Sequence, residues 1–444
     1  MKKQINVSDF LKKEYKDYSY YVIENRAIPS IIDGFKPTQR KIIFVSDKSI
    51  RTVSNKVATL AGKVISDAQY HHGNVSCEDA IVNMAQDFKN NLPLFEKIGQ
   101  FGSLKSPIAS ASRYISVKLA DSFDLVYKDD ELLEYKVDEG HSIEPKYYLP
   151  IIPMVLVNGG GGIAVGFSTI ILNRDVKHLI KDCTSYLKGG KISDLKPSIG
   201  GFSGTFQKDN DNHKKWYIKG KYTIDNTSTV KVNELPLSMT YEKFEEHLDN
   251  LFDKREITNW ENHGKGNIDY VIKFSREKLA SLNNTDIEKL LKLTDQVTEI
   301  FTVLDETGKL KIFESSEEIL KYFVDFRLKY YQKRKDFQLK KIKEDIFKME
   351  NRALFIKGVI ENKIEIKNKK KEDIVKDIMK LKIETFNDSY DYLLSIPIFS
   401  LSKEKWDEFQ KSIKDKKYEE KIIKASIPKD VYLLELEELL KKIK

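Results

Sequence analysis

The stretch Tyr20-Tyr21-Val22-Ile23-Glu24-Asn25-Arg26-Ala27-Ile28-Pro29, followed by Asp33-Gly34-Phe35-Lys36-Pro37-Thr38-Gln39-Arg40-Lys41, decides the fold. A helix is expected from Val7 to Glu24, with Ser8 or Asp9 as its N-cap. Pro29, Gly34 and Pro37 then break the chain. A second helix should open at Pro37, because the missing N–H of proline has no partner in a first turn anyway. A third should follow Gly73, where Ala80, Ile81, Met84 and Phe88 recur at helical spacing. Residues 1 to about 135 therefore read as short helices punctuated by Gly and Pro.

Moving outward, residues 136 to about 315 read as mixed α/β. Met154 to Val157 is a short apolar run, read as a strand, that ends at Asn158 and four glycines. Trp216-Tyr217-Ile218 and Tyr222-Thr223-Ile224 look like strands joined by Lys219-Gly220-Lys221, and Thr229 to Val232 is another, stopped by Pro236. From about residue 316 to 444, Gly and Pro nearly vanish. Leu339, Ile342, Ile346, Met349, Ala353, Ile356 and Ile360 follow a 3-4 spacing, and Leu433, Leu436, Leu440 and Ile443 resume it. Such a seam asks for a partner helix. A knob at about 385–412, containing Pro397, separates the two, so an antiparallel coiled coil with a tip is expected; a plain helical bundle is the alternative.

The chain has 444 residues, enough for two to four domains. No stretch approaches the roughly 20 apolar residues needed to cross a bilayer. The N-terminus, Met1 to Val7, lacks the apolar block of a signal peptide. Two distant cysteines, Cys77 and Cys183, build no disulfide framework, so a reducing cytoplasm is expected. The net charge of +8 permits a polyanionic partner without demanding one.

Asn158-Gly159-Gly160-Gly161-Gly162-Ile163-Ala164 can be forced into a dinucleotide-binding pattern. The next residues, Val165-Gly166-Phe167-Ser168-Thr169-Ile170, are no amphipathic helix, so pyrophosphate would have no helix terminus to rest on. No P-loop pattern exists. Asp209-Asn210-Asp211 reads as a solvated loop before a metal site, and no Cys/His cluster has zinc spacing. Ser112-Arg113-Tyr114-Ile115 has more definite chemistry. A phenolate can attack phosphorus, and an adjacent guanidinium can hold charge on a phosphate. An Arg-Tyr pair alone is weak, since a Tyr before apolar residues is usually core.

The order of motifs is more specific. The opening stretch resembles the R-A-[IL]-P…D-G-[LF]-K-P-x-[HQ]-R element of type IIA DNA topoisomerase breakage-reunion domains. Tyr70-His71-His72-Gly73 resembles their Y-H-[HP]-G element. Gly102-Ser103 with Ala111-Ser112-Arg113-Tyr114 is similar to F-G-S…A-[AS]-R-Y. Leu149-Pro150-Ile151-Ile152-Pro153 with Asn158-Gly159 and Gly162-Ile163-Ala164-Val165-Gly166 resembles L-P-x-x-P…N-G-x-x-G-I-[AG]-x-G, and Glu234-Leu235-Pro236 resembles a further E-[IL]-P element. The chain's extent also resembles the medium-subunit type of T-even phage topoisomerases. Two departures stand out. Gly99-Gln100-Phe101-Gly102 is two residues shorter than the usual loop, and Gln39 replaces a common His.

The resemblance implies an α+β multidomain fold. It implies a winged-helix DNA-gate domain at 1–135, a tower domain at 136–315, and a coiled coil with a small C-gate at 316–444. It implies Tyr114 as nucleophile, Arg113 as phosphate stabiliser, and His72 as a hydrogen-bond partner of the reacting groups. Arg26, Lys36, Arg40 and Lys41 would grip DNA phosphates, and Ile163 would wedge between base pairs. On residue type alone the four cations would be a solvated helix face, and Ile163 a core residue. Free tyrosine has a pKa of about 10, so the site needs cations and Mg²⁺. Mg²⁺ would come from a partner's Toprim domain, and ATP would be hydrolysed by the same large partner subunit. A twofold dimer on double-stranded DNA is implied, in the cytoplasm, or the host cytoplasm for a phage chain. An inert DNA-binding scaffold and a metal-dependent nuclease are the alternatives.

Overall fold

The computed structural model describes residues 7–138, 140–366, 369–397 and 401–443. They form an α+β chain of two compact units, residues 1–327 with 435–444, and residues 328–434.

The first helix, α1, is continuous over 7–27 and contains two five-residue π segments, Leu11–Tyr15 and Ile23–Ala27. Ser8 and Asp9 lie inside it rather than capping it. It ends where Ile28 turns extended, as a residue before proline must. Val22, Ile23, Ala27 and Ile28 pack against Leu304. Helix α2, Pro37–Ser49, carries Pro37 in its first turn as expected, and the Lys36 N–H donates to Gln39 Oε1 at 2.9 Å. Strand β1 (Asn55–Lys56), α3 (Val57–Asp67), α4 (Asn74–Ala85), β2 (Phe95–Ile98) and β3 (Ser116–Leu119) follow. The three strands form one antiparallel sheet in the order β1-β3-β2, beside the packed helices α2, α3 and α4. Gly73, at φ +78°, makes the turn into α4.

Met154–Val157 is a single helical turn and not the strand its apolar run suggested. Four consecutive buried residues satisfy a helix turn as well as a strand, so the pattern alone does not separate them. The glycines after it form β4 (Gly160–Ile163), paired in a hairpin with β5 (Ser168–Ile171). A hairpin here leaves no helix for a pyrophosphate, in line with the rejection of a dinucleotide loop.

Lys215–Lys219 and Lys221–Asn226 are both strands, yet they belong to different sheets. Gly220 is therefore a crossing point and not a hairpin turn. A Cβ there would lie 2.4 Å from the Glu234 carbonyl oxygen, so only glycine passes. The four-stranded sheet covers a core of Phe244, Leu248, Tyr270, Ile272 and Ile287. Asp209 accepts the Asp211 and Asn212 N–H groups and the Tyr217 hydroxyl, which makes it a turn former.

In the second unit, the long helix α5 (Ser316–Ile360), which begins in the first unit, buries Ile342, Ile346, Ala353 and Ile356, with Leu339 and Met349 half-buried and Ile360 exposed. Lys417 meets Glu350 at 2.6 Å, and Lys335 donates to the carbonyls of Lys424 and Ser426. Pairing numbers that run in opposite directions make Lys403–Ala425 antiparallel to α5. In the last helix, Pro428–Lys442, the buried positions are Tyr432, Leu436 and Leu439, whereas the expected seam shares only Leu436 with them. A small core of Phe355, Ile364, Ile374, Ile378, Ile383 and Leu393 lies within the second unit. Residues 398–400 of the expected knob, and residues 1–6 of the N-terminus, lie outside the described residues.

Arg174 and Glu299 form a buried pair at 2.7 Å. Glu299 also accepts from Trp216 Nε1 and the Leu172 N–H. Removing one partner strands a charge, so Arg174→Met should cost about 3–5 kcal/mol, checked by urea unfolding of the full chain.

Candidate active site and nucleic-acid interface

Residues 112–114 form a turn closed by the Tyr114 N–H donating to Ala111 O at 2.8 Å. The first amides of α3 have no partners within their own helix. Val57 N–H takes Ile115 O, and Ala58 N–H takes Ser112 O, so the turn and the helix end satisfy each other. Ile115 is buried and anchors the segment, while Tyr114 is 66% exposed. The turn thus projects a phenol from a fixed base. The Arg113 guanidinium carbon lies 4.9 Å from the Tyr114 ring centre, a cation over a ring face. Lys56 Nζ donates to the Tyr114 carbonyl at 3.0 Å. No motif pointed to Lys56; its place is set by the pairing of β1 with β3.

The loop before this turn is held from two sides. Gln86 Nε2, just past α4, donates to Phe101 O at 2.7 Å and Pro107 O at 3.1 Å. The Ser110 N–H donates to Gln100 O at 2.9 Å. The shortened Gly99-Gln100-Phe101-Gly102 segment uses φ values of +107° at Gly99 and +82° at Gly102.

His72 is exposed, with Nε2 at 3.2 Å from the Tyr21 hydroxyl and the Tyr70 ring edge-on. Ser76 fixes its backbone by donating to His72 O. Among the described residues, no hydrogen bond joins His72 to Tyr114. Tyr21 is a neighbour that sequence reasoning did not single out.

The four expected phosphate-gripping cations divide. Arg26 is exposed, and with Lys36 it lines a cleft of about 570 Å³ shared with Tyr70, Asn83 and Gly159–Gly161. Lys36 Nζ donates to Gly161 O at 2.7 Å, and burial pulls its pKa down. Arg40 is in a different position from the one expected. It is buried, with Nε at 2.7 Å from Asp33 Oδ2 and Nη2 at 3.1 Å from Oδ1. Burial lowers its pKa and Asp33 more than offsets that, leaving it raised. It is corrected to an interior structural ion. Lys41 is half-buried and donates to Ala68 O at the end of α3, with burial pulling its pKa down. The sequence showed the charges; it did not show which way the face of α2 turns.

Ile163 is 88% exposed at the end of β4. It is not a core isoleucine. Arg26, Lys36 and Tyr18 share the groove beside it. Among the described residues, no group of three or more His, Cys, Asp or Glu could hold a metal ion.

Residues 26–439 match the family of the DNA gyrase/topoisomerase IV A subunits. The chain belongs to that family. It is 34% identical over 474 residues to DNA topoisomerase 2-alpha of Cricetulus griseus, covering 96% of this chain and 31% of that protein. It is also 34% identical to DNA topoisomerase 2, mitochondrial, of Dictyostelium discoideum, covering 98% of this chain and 35% of that one. The chain thus spans about a third of the length of these relatives. A solved structure, the Plasmodium falciparum topoisomerase II DNA-binding, cleavage and re-ligation domain, superposes with a TM-score of 0.85 at 31% identity, covering 98% of this chain and 64% of that one.

The glycine run of β4 has a steric cause. A Cβ on Gly162 would sit 2.0 Å from the Ala27 carbonyl oxygen. Gly162→Ala should therefore push the β4–β5 hairpin off α1 and destabilise the chain by about 1–3 kcal/mol, read by thermal unfolding.

Proposed function

We propose that this chain is the DNA-cleaving and rejoining subunit of an ATP-dependent type IIA topoisomerase, with Tyr114 as nucleophile. The exposed phenol on a doubly tethered turn, with Arg113 over its ring, is the observation that carries the reading. Tyr114 Oη attacks a backbone phosphorus as it gives up its proton. The O3′–P bond breaks, the 3′ oxygen takes a proton, and the DNA 5′ phosphate stays on the tyrosine. Reversal restores the strand without an energy source, since one phosphodiester is exchanged for another. Arg113 stabilises charge on the phosphate, with Lys56 a further cation at the turn, and His72 hydrogen-bonds the reacting group.

Arg26 and Lys36 hold the duplex backbone, which fixes position without reading sequence. Ile163 inserts between base pairs and helps bend the cleaved duplex. In this reading α3 and α4 with the β1-β3-β2 sheet are a winged helix within a DNA-gate domain at 1–135. Residues 136–315 are a tower, and 316–444 a coiled coil ending in a C-gate. One tyrosine cuts one strand, so two copies related by a twofold axis open both. In this reading the Mg²⁺ site and the ATPase belong to a partner chain with a Toprim domain.

The test is covalent trapping with the partner chain, Mg²⁺ and supercoiled plasmid, quenched with detergent. Wild type should leave protein on 5′ DNA ends, and Tyr114→Phe should lower the adduct by roughly 10³-fold or more. Equal cleavage by the variant would favour a metal-dependent nuclease. Ile163→Ala should keep folding stability within about 0.5 kcal/mol, because the side chain is in solvent, yet reduce cleavage about tenfold. A cleavage rate equal to wild type would remove the wedge from the mechanism.

A further inference from the structure

The Glu234-Leu235-Pro236 element has no part in the chemistry above. Its neighbour in space is Lys105, in the loop that leads to the nucleophile. Lys105 is only 4% exposed, an unusual place for a lysine. Its Nζ donates to Leu235 O at 2.6 Å and to Pro236 O at 2.9 Å, and lies 3.5 Å from Glu234 Oε1. An ammonium has three donors, and here it faces three acceptors. The backbone takes part as well. Lys105 O accepts the N–H of Tyr241, the first residue of the helix Tyr241–Asp253. The Phe202 ring lies 5.8 Å from Nζ on another side.

Glu234 is itself fixed. Its Oε2 accepts from the Ser203 N–H and hydroxyl, and its Oε1 from the Leu235 N–H. The carboxylate is therefore in place before the lysine arrives. Glu234 ends one strand of the four-stranded sheet, so the anchor is a rigid element. The loop it grips is closed on its other side by Gln86 and by the Ser110 to Gln100 bond. Residue 111, whose carbonyl closes the Tyr114 turn, comes next.

We propose that Lys105 is a positioning residue for Tyr114, and that Glu234-Leu235-Pro236 is the socket that holds the nucleophile's loop against the α/β part of the chain. The proposal rests on the reading of Tyr114 as nucleophile. The loop cannot drift without withdrawing a buried cation from all three acceptors, so the socket presents the phenol to DNA from a preset position. Preset geometry acts on the rate of the bound complex and leaves affinity for the duplex alone.

The test uses Lys105→Met, which keeps length but removes charge and donors, and Lys105→Gln, which keeps two N–H donors without the charge. Each full-length variant, mixed with the partner chain and Mg²⁺, is assayed for single-turnover adduct formation on a linear duplex. Hydrogen exchange is measured on the full-length chain alone. The expected result is a fall of tenfold or more in the rate at saturating duplex for the Met variant, and a smaller fall for the Gln variant. The duplex concentration at half-saturation should stay within twofold of wild type. Amides over 99–115 should exchange faster while those of Thr229–Glu234 stay protected. If the Met variant does not fold, the Gln variant decides by the same readings. A saturating rate within twofold of wild type, or unchanged exchange over 99–115, overturns the proposal. If wild type itself forms no adduct, the nucleophile reading fails, and the exchange measurement alone still decides whether Lys105 anchors the loop.

Discussion

Asp33 is the buried acceptor on which the rest of the N-terminal region is hung. Its carboxylate accepts Arg40 Nε and Nη2, the Phe35 N–H at 3.0 Å and the Tyr148 N–H at 3.0 Å, while its backbone carbonyl accepts the Tyr127 hydroxyl. The Asp33–Arg40 pair is buried, where an unpaired charge would cost several kcal/mol. The carboxylate's acceptor positions are therefore all used. Phe35, Tyr127, Tyr148 and Phe123 stack around it and keep water out. This knot fixes the turn between α1 and α2. It sets where Lys36 leaves the backbone, and Lys36 in turn reaches Gly161 in the hairpin that carries Ile163. Three chain segments far apart in sequence thus share one reference point. Gly34, at φ +74° and with no room for a Cβ beside the Met154–Val155 backbone, is the steric condition for it.

The same demand for partners separates two kinds of cation. Arg40 and Lys105 have their donors committed to internal acceptors, so they act on the fold. Arg26, Arg113 and Lys56 stand at the surface around the cleft and the phenol. Lys36 lies between the two groups, half-buried and bonded to a carbonyl it could exchange for a phosphate oxygen. On the proposed reading Lys36 meets DNA already partly dried, the same burial that pulls its pKa down, and so loses less hydration than a fully solvated lysine would.

Much of the helix framework was legible, because Pro37 and Gly73 are local signals with local causes. The long helix was legible too, since its 3-4 spacing predicted the buried Ile342, Ile346, Ala353 and Ile356. Tyr114 and Ile163 were singled out by motif order, and their exposure is what the structure adds. The features that stayed hidden depend on long-range partners. Arg40 and Lys41 sit in a basic run whose side chains diverge, one toward Asp33 and one toward Ala68. Gly220 has the sequence of a hairpin turn but divides two sheets, because Leu293 and Glu234 flank it from elsewhere in the chain. Lys105 reads as a loop lysine until the socket 130 residues away is seen.

The arrangement around Tyr114 bears on how cutting is restrained. Two cations stand at this turn, Arg113 above the ring and Lys56 on the backbone. Both cations favour the entry of a phosphate beside the phenol. On the proposed reading, these cations hold the phosphate and aim the phenol at it. That reading places the Mg²⁺ site on a partner chain, so the break would be made only when that assembly is present. In the same reading, dividing the site between chains makes the hazardous step conditional on the machinery that closes it. Within that reading the tethered turn serves the same end, because a phenol held in one place can return the phosphate it took.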